Sequence, residues 1–153
     1  MKIEKRIKEL KLTLVELVNP IGLYVPATQV NDLVVTSGQL PFVDRRLIFP
    51  GRVGKEVNLE NAQRAAKAAV LNCLAAVRYV CGDLDRVVKI VRMNGFVCSA
   101  LDFNDHPAVM NAASELLIEI FGEEIGRHTR CALGVFELPM KACVEVDLTV
   151  QIG

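Results

Sequence analysis

The stretch GRHTRCALGVFELPMKACVEVDLTV, residues 126–150, decides the fold. Strand side chains alternate between two faces, so a period of two sorts it. In its first half Arg130, Ala132, Gly134 and Phe136 share one face, and Thr129, Cys131, Leu133 and Val135 share the other. In its second half Val144, Val146, Leu148 and Val150 form a continuous apolar face, the signature of a core. Cys143, Glu145, Asp147 and Thr149 lie opposite. Leu138-Pro139 marks the turn between the halves. The stretch therefore predicts two neighbouring antiparallel strands, with residues 130 and 145 folded back toward each other. The polar side of the last strand is either a solvated surface or the wall of a cleft. Arg130 beside Glu145 is correspondingly either an ion pair or a guanidinium offered to a substrate carboxylate, with the glutamate handling a water.

Upstream, LNCLAAVRYVCG closes a long alanine-rich helix that Asn58 starts and Gly82 stops. Ala62, Ala66, Ala69, Cys73, Val77 and Val80 form its apolar stripe, and the small side chains permit close approach to a sheet. DRVVKIVRMNGFVCSA, residues 85–100, predicts a strand with Val88, Ile90 and Arg92 alternating against Val87, Lys89 and Val91. Residues 105–121 predict a second helix capped by Asp105, with Pro107 in its first turn and Val109, Ala113, Leu116, Leu117 and Ile120 inward. DLVVTSGQLP is a strand ending at Ser37-Gly38, NPIGLYVPAT a loop, and PFVDRRLIFPGRVGKEVN an irregular excursion. Ile3, Ile7 and Leu10 mark a short amphipathic helix on the domain edge, and its acids argue against a membrane-surface role.

The order is an α+β sandwich: two helices on one face of a mixed, mainly antiparallel sheet, in one domain spanning residues 1–153 with residues 1–14 as a helical extension. Such a sheet has an open face. Its strands carry apolar residues on both sides, so the open face predicts a homo-oligomer. Eighteen basic and eighteen acidic side chains cancel, which argues against a dedicated nucleic-acid binder. The basic and acidic N-terminus lacks the apolar core of a signal peptide, and no apolar run is long enough to span a membrane. Together these imply a cytoplasmic protein. Five cysteines at 73, 81, 98, 131 and 143 show no metal-ligand spacing and read as reduced thiols, mostly buried. His106, next to Pro107, reads as a cap-region residue. His128 lies on the face of Arg130, at the mouth of any cleft there. Neither has a second ligand at suitable spacing, so no metal is expected.

In order along the chain, Tyr24, Ser37-Gly38-Gln39, the alanine-rich helix, Asn111, Arg130, Leu138-Pro139 and Glu145 resemble the pattern of the Rid (YjgF) family, the reactive intermediate deaminases, over residues 20–151. The ordered conjunction carries the resemblance; no single motif does. It implies a chorismate-mutase-like fold, a homotrimer with three inter-subunit clefts, and no cofactor. The implied activity is hydrolysis of reactive enamines or imines to 2-keto acids and ammonia. Arg130 would clamp the substrate carboxylate and Glu145 position the water. Tyr24, Ser37, Gly38, Asn111 and His128 would line the pocket. A cysteine common two residues after the family arginine is here Ala132, and Cys131 points to the opposite face. The DHP and GRH triplets before the second helix and the arginine strand resemble a divergent bacterial branch. Two other functions compete: a non-catalytic trimer binding metabolites through Arg130, and the endoribonuclease label of the family. The neutral composition and scarcity of aromatics disfavour the latter.

Overall fold

The computed structural model of the chain describes residues 2–17 and 22–153. Pro20, part of the expected loop, lies outside the described residues. A helix α1 (Lys2–Glu9) precedes two short strands, β1 (Ala27–Val30) and β2 (Leu33–Thr36), and a minimal hairpin of β3 (Phe42–Val43) and β4 (Arg46–Leu47). The long helix α2 (Leu59–Cys81), strand β5 (Val87–Cys98), helix α3 (His106–Gly126), strand β6 (Thr129–Val135) and strand β7 (Val144–Ile152) follow. The main sheet runs β1-β2-β7-β5-β6. Every pair in it is antiparallel except β5 with β6.

Capping chemistry sets the limits of α2. Asn58 accepts the amide of Asn61 at 2.8 Å, and Gly82 ends the helix with φ 81°. The expected stripe is buried, with Ala62, Ala66, Ala69, Cys73 and Val77 wholly inaccessible, and it packs on β1, β2 and β7. The apolar face of β7 meets it through Val144, Val146, Leu148 and Val150, all fully buried. The second helix covers β5 and β6. It runs beyond residue 121 only across a break at Gly122, where φ is 81° and ψ 167°. Asp105 precedes it but makes no capping hydrogen bond, contrary to the expected role.

Three other expectations change. The loop NPIGLYVPAT and the strand after it contain a β1–β2 hairpin, which Asn31 turns with a φ of 55°. The irregular excursion holds the β3–β4 hairpin, turned by Asp44 and Arg45, both at positive φ. Simple alternation fails in β5: register shifts between Val87 and Lys89 and between Ile90 and Arg92 make Val87, Ile90 and Met93 the buried set.

The N-terminal helix is fastened from a distance. The carboxylate of Asp85, in the turn before β5, accepts the amides of Lys2 at 2.5 Å and Ile3 at 2.7 Å. These free amides are where a helix takes an anion. The Ile3 amide is the largest influence holding the Asp85 carboxyl down, from an ordinary 3.8 to about 2. A carboxyl depressed on folding stabilises the docked helix above its ordinary value and loses that contribution as pH falls toward about 2. Asp85→Ala is expected to release α1 while leaving the sheet intact. Hydrogen exchange should show faster exchange in residues 3–9 and unchanged protection in β5 and β7.

Candidate active site

The decisive correction concerns the two strands of the opening stretch. Strands β6 and β7 are not neighbours; β5 lies between them. Met93 of β5 stands opposite Arg130 on one side and Leu148 on the other, while Phe96 stands opposite Glu145 and Leu133. Residues opposite each other share a face. Arg130 therefore points to the helix side with the buried Met93 and Leu148, and Glu145 to the open side with Phe96. Three residues and two strand spacings separate their backbones, roughly 14 Å. The expected pairing of Arg130 with Glu145 within one chain does not occur. A chain segment returning through a parallel crossover, not a hairpin, produces this, because α3 carries the chain back over the sheet.

The candidate residues instead form two groups. In the first, Arg130 of β6 reaches up to α3. Its Nη1 donates to Asn111 Oδ1 at 2.8 Å and to Ser114 Oγ at 3.1 Å. His128 joins them, with Nε2 3.0 Å from Ser114 Oγ and Nδ1 2.6 Å from the carbonyl of Gly126. Burial pushes the His128 imidazole below its ordinary value; the Gly126 carbonyl opposes this, and the charges of Arg130 and Lys89 add to it. Ser114 is a site residue that motif reading missed. Its signal was present: it lies three residues beyond Asn111, hence on the same helical face.

In the second group, Glu145 of β7 lies over Gly38, just past the end of β2. A Cβ at Gly38 would overlap the Glu145 carboxylate, so any other residue would displace that side chain from its position. Burial, then the charge of Asp147, raises the Glu145 carboxyl above its ordinary value. Asp147 is raised by burial too, against the pull of Asn94 and Arg92. Asn94 donates to Asp147 at 2.8 Å and accepts from Arg92 at 3.0 Å, so the acid is held while Glu145 makes no hydrogen bond among the described residues. The Ser37 hydroxyl donates to the carbonyl of Val25 at 2.6 Å. That bond ties down the segment carrying Tyr24, whose side chain is 59% exposed.

His106 belongs to neither group. Its Nε2 is 3.1 Å from Ser99 Oγ, its ring meets Phe103 edge-on, and it packs over Gly134, where a Cβ would come within 2.6 Å. Ala132 packs against the core, and Cys131 faces the open side opposite Asn94. No three His, Cys, Asp or Glu side chains converge as a metal would require among the described residues. None of the described helices is long and apolar enough to cross a membrane.

The sequence profile of the family described as "YjgF/chorismate_mutase-like, putative endoribonuclease" matches residues 4–152. Protein TCP17 of Trypanosoma cruzi is 43% identical over 117 residues, 76% of this chain and 73% of that protein. A protein of Dermatophagoides farinae named 2-iminobutanoate/2-iminopropanoate deaminase is 31% identical over 134 residues, 87% of this chain and 88% of that one. The crystal structure of Agrobacterium tumefaciens protein Atu1372, of unknown function, superposes with a TM-score of 0.91 at 40% identity, covering 99% of this chain and 93% of that one.

A carboxyl raised on folding opposes stability while it is ionised, above its folded value, and ceases to do so as pH falls and it takes up a proton. Glu145→Gln is therefore expected to raise the melting temperature at neutral pH. The gain should shrink as pH drops through the raised range, which paired thermal melts from pH 4 to 8 would show. A gain unchanged across that range would mean that Glu145 is not held in this way.

Proposed function

The chain belongs to the YjgF/chorismate-mutase-like family, and from that premise we propose that it hydrolyses reactive 2-imino acids, and the enamines that tautomerise to them, to 2-keto acids and ammonia, in a cleft completed by a second copy of itself. One observation carries this reading. Arg130 is anchored by two neutral groups, Asn111 and Ser114, and no carboxylate among the described residues pairs with it. A guanidinium in a structural ion pair has its charge answered. Here the charge is oriented and left over, which suits a substrate carboxylate.

The chemistry asks little of the protein. The C=N carbon of an imine is already electrophilic, so positioning and one proton acceptor suffice. Glu145, held above the usual carboxylate range by burial, is a base closer to working pH than an exposed glutamate. It would take a proton from water as the oxygen bonds to the imine carbon. That proton passes on to the imine nitrogen, giving a carbinolamine; Glu145 would then relay the hydroxyl proton to the same nitrogen as the C–N bond breaks, leaving the keto group and ammonia. The roughly 14 Å between the Arg130 and Glu145 backbones prevents one chain from doing this alone. β6 is an edge strand, the sheet's open face carries Leu33, Val35 and Leu133 exposed, and Tyr24 projects from its own chain. All three suit a closed ring of subunits, a homotrimer, in which the Glu145–Gly38 side of one copy meets the Arg130–Asn111 side of the next. The similarity to the Dermatophagoides farinae deaminase supports the same substrate class.

The test uses 2-aminoacrylate generated by a serine dehydratase, with release of pyruvate followed over the uncatalysed rate. Arg130→Ala and Glu145→Gln are each expected to lower kcat/KM by about a hundredfold or more. Mixed and re-equilibrated, the two inactive variants should regain about a quarter of the wild-type activity, because random assembly gives that share of clefts both intact groups. No regain would place both groups in one subunit and sink the shared cleft. Binding of 2-oxobutanoate without turnover of any imine would instead indicate a metabolite-binding trimer.

A further inference from the structure

Hydrogen-bond polarity around Arg130 can be followed atom by atom. A carbonyl only accepts, so the 2.6 Å contact to Gly126 places the proton of a neutral His128 on Nδ1. Nε2 is then bare and accepts the hydroxyl proton of Ser114 at 3.0 Å. With its proton so committed, Ser114 Oγ presents lone pairs to Arg130 Nη1 at 3.1 Å. The other Nη1 proton goes to Asn111 Oδ1 at 2.8 Å. Both Nη1 protons are thus taken, and Nε and Nη2 make no hydrogen bond among the described residues.

We infer that Ser114 and His128 are positioning residues that lock the guanidinium of Arg130 so that it receives the substrate carboxylate side-on, along the Nε–Nη2 edge. The inference rests on reading Arg130 as the carboxylate clamp and goes beyond it by naming the edge and the device that selects it. A guanidinium offers two bidentate edges, and a free one rotates between them. Occupying Nη1 removes the end-on edge. Asn111 alone would leave one Nη1 proton available and the group free to pivot about a single contact. Ser114 supplies the second contact, and His128 prevents its hydroxyl from turning its own proton toward the guanidinium.

The arrangement depends on a neutral imidazole. The charged groups bearing on His128 are Arg130 from β6 and Lys89 from β5, whose Nζ donates to the Glu124 carbonyl at the end of α3 at 2.5 Å. Both are cations, so they favour the neutral ring. Protonation would turn Nε2 into a donor, reverse the Ser114 hydroxyl, and set a second positive charge beside the clamp.

Nitrogen NMR tests the device without any substrate. At neutral pH the imidazole of His128 should show a protonated Nδ1 and an unprotonated Nε2, and the Nη signals of Arg130 should show hindered rotation. Ser114→Ala should release that rotation, and His128→Leu should do so partly. His128→Gln should preserve it, because its amide oxygen can accept the Ser114 proton in place of Nε2. Binding of 2-oxobutanoate, followed by calorimetry, should weaken about tenfold in Ser114→Ala and stay near wild type in His128→Gln. In imine turnover Ser114→Ala should raise KM more than it lowers kcat. An Nε2-protonated ring, or a Ser114→Ala variant with unchanged Arg130 rotation and unchanged 2-oxobutanoate affinity, would overturn the inference. So would 2-oxobutanoate binding that survives Arg130→Ala, since the clamp itself would then be misassigned. If the wild type shows these NMR signatures and Ser114→Ala this tenfold binding loss, yet the wild type turns over no imine, the positioning device stands and the hydrolytic reading alone is refuted.

Discussion

The register of β5 governs the molecule. This strand is paired on both sides, antiparallel to β7 and parallel to β6, and its alternation decides which way every polar group of the candidate site points. Met93 carries Arg130 and Leu148 to the helix side; Phe96 carries Leu133 and Glu145 to the open side. A one-residue slip of β5 would exchange its two faces and set Arg92 or Asn94 in the place of Met93 against Leu148. The core prevents that slip, because Ile90, Met93 and Val97 are wholly buried against the helices. Gly95, between Met93 and Val97, lies under the thioether of Met110, where a Cβ would overlap it, and this lets α3 sit low enough for Asn111 and Ser114 to reach β6.

Much of this was legible in the residues. Asn58, Gly82 and the alanine stripe delimited α2 because capping and helical spacing are local. The valine face of β7 declared itself by simple alternation. The order of Tyr24, Ser37-Gly38, Asn111, Arg130 and Glu145 pointed to the family, to which the chain belongs. Strand adjacency was not legible. A Leu-Pro turn between two strand-like runs suggests a hairpin, yet the run 129–135 pairs with β5 and leaves β7 on the far side. No local signal distinguishes these outcomes; the competition for the edge of β5 is decided by where α3 delivers the chain. The two bulges of β5 were hidden for a related reason, since its sequence alternates acceptably in the unbulged reading.

The split of the site into two groups follows from that adjacency and has a chemical logic. An arginine and a glutamate within reach of each other in one chain would form an ion pair, and each would lose what makes it useful. Kept apart, Arg130 is oriented by neutral donors and acceptors while its charge stays available. Glu145, deprived of such partners and half-buried beside Asp147, is pushed toward basicity. Separation on the monomer keeps the two groups from neutralising each other, and in the proposed trimer the substrate would come between them.

The thiols are free and mostly buried, as their spacing suggested, and their burial has a chemical consequence. Burial raises Cys73, Cys81 and Cys98, and lifts Cys143 to about 11, so these sulfurs stay protonated at neutral pH as well as shielded. A thiolate, not a thiol, is what an electrophile captures. Imines and aminoacrylates are electrophiles, and a protein that handles them is exposed to alkylation by its own traffic. Here the position two residues past Arg130 is an alanine, and the half-exposed Cys131 sits across the sheet from the clamp. The packing that builds the core therefore shields four of the five sulfurs from such electrophiles, whereas Cys131, half-buried, lies on the open face, the side of Glu145.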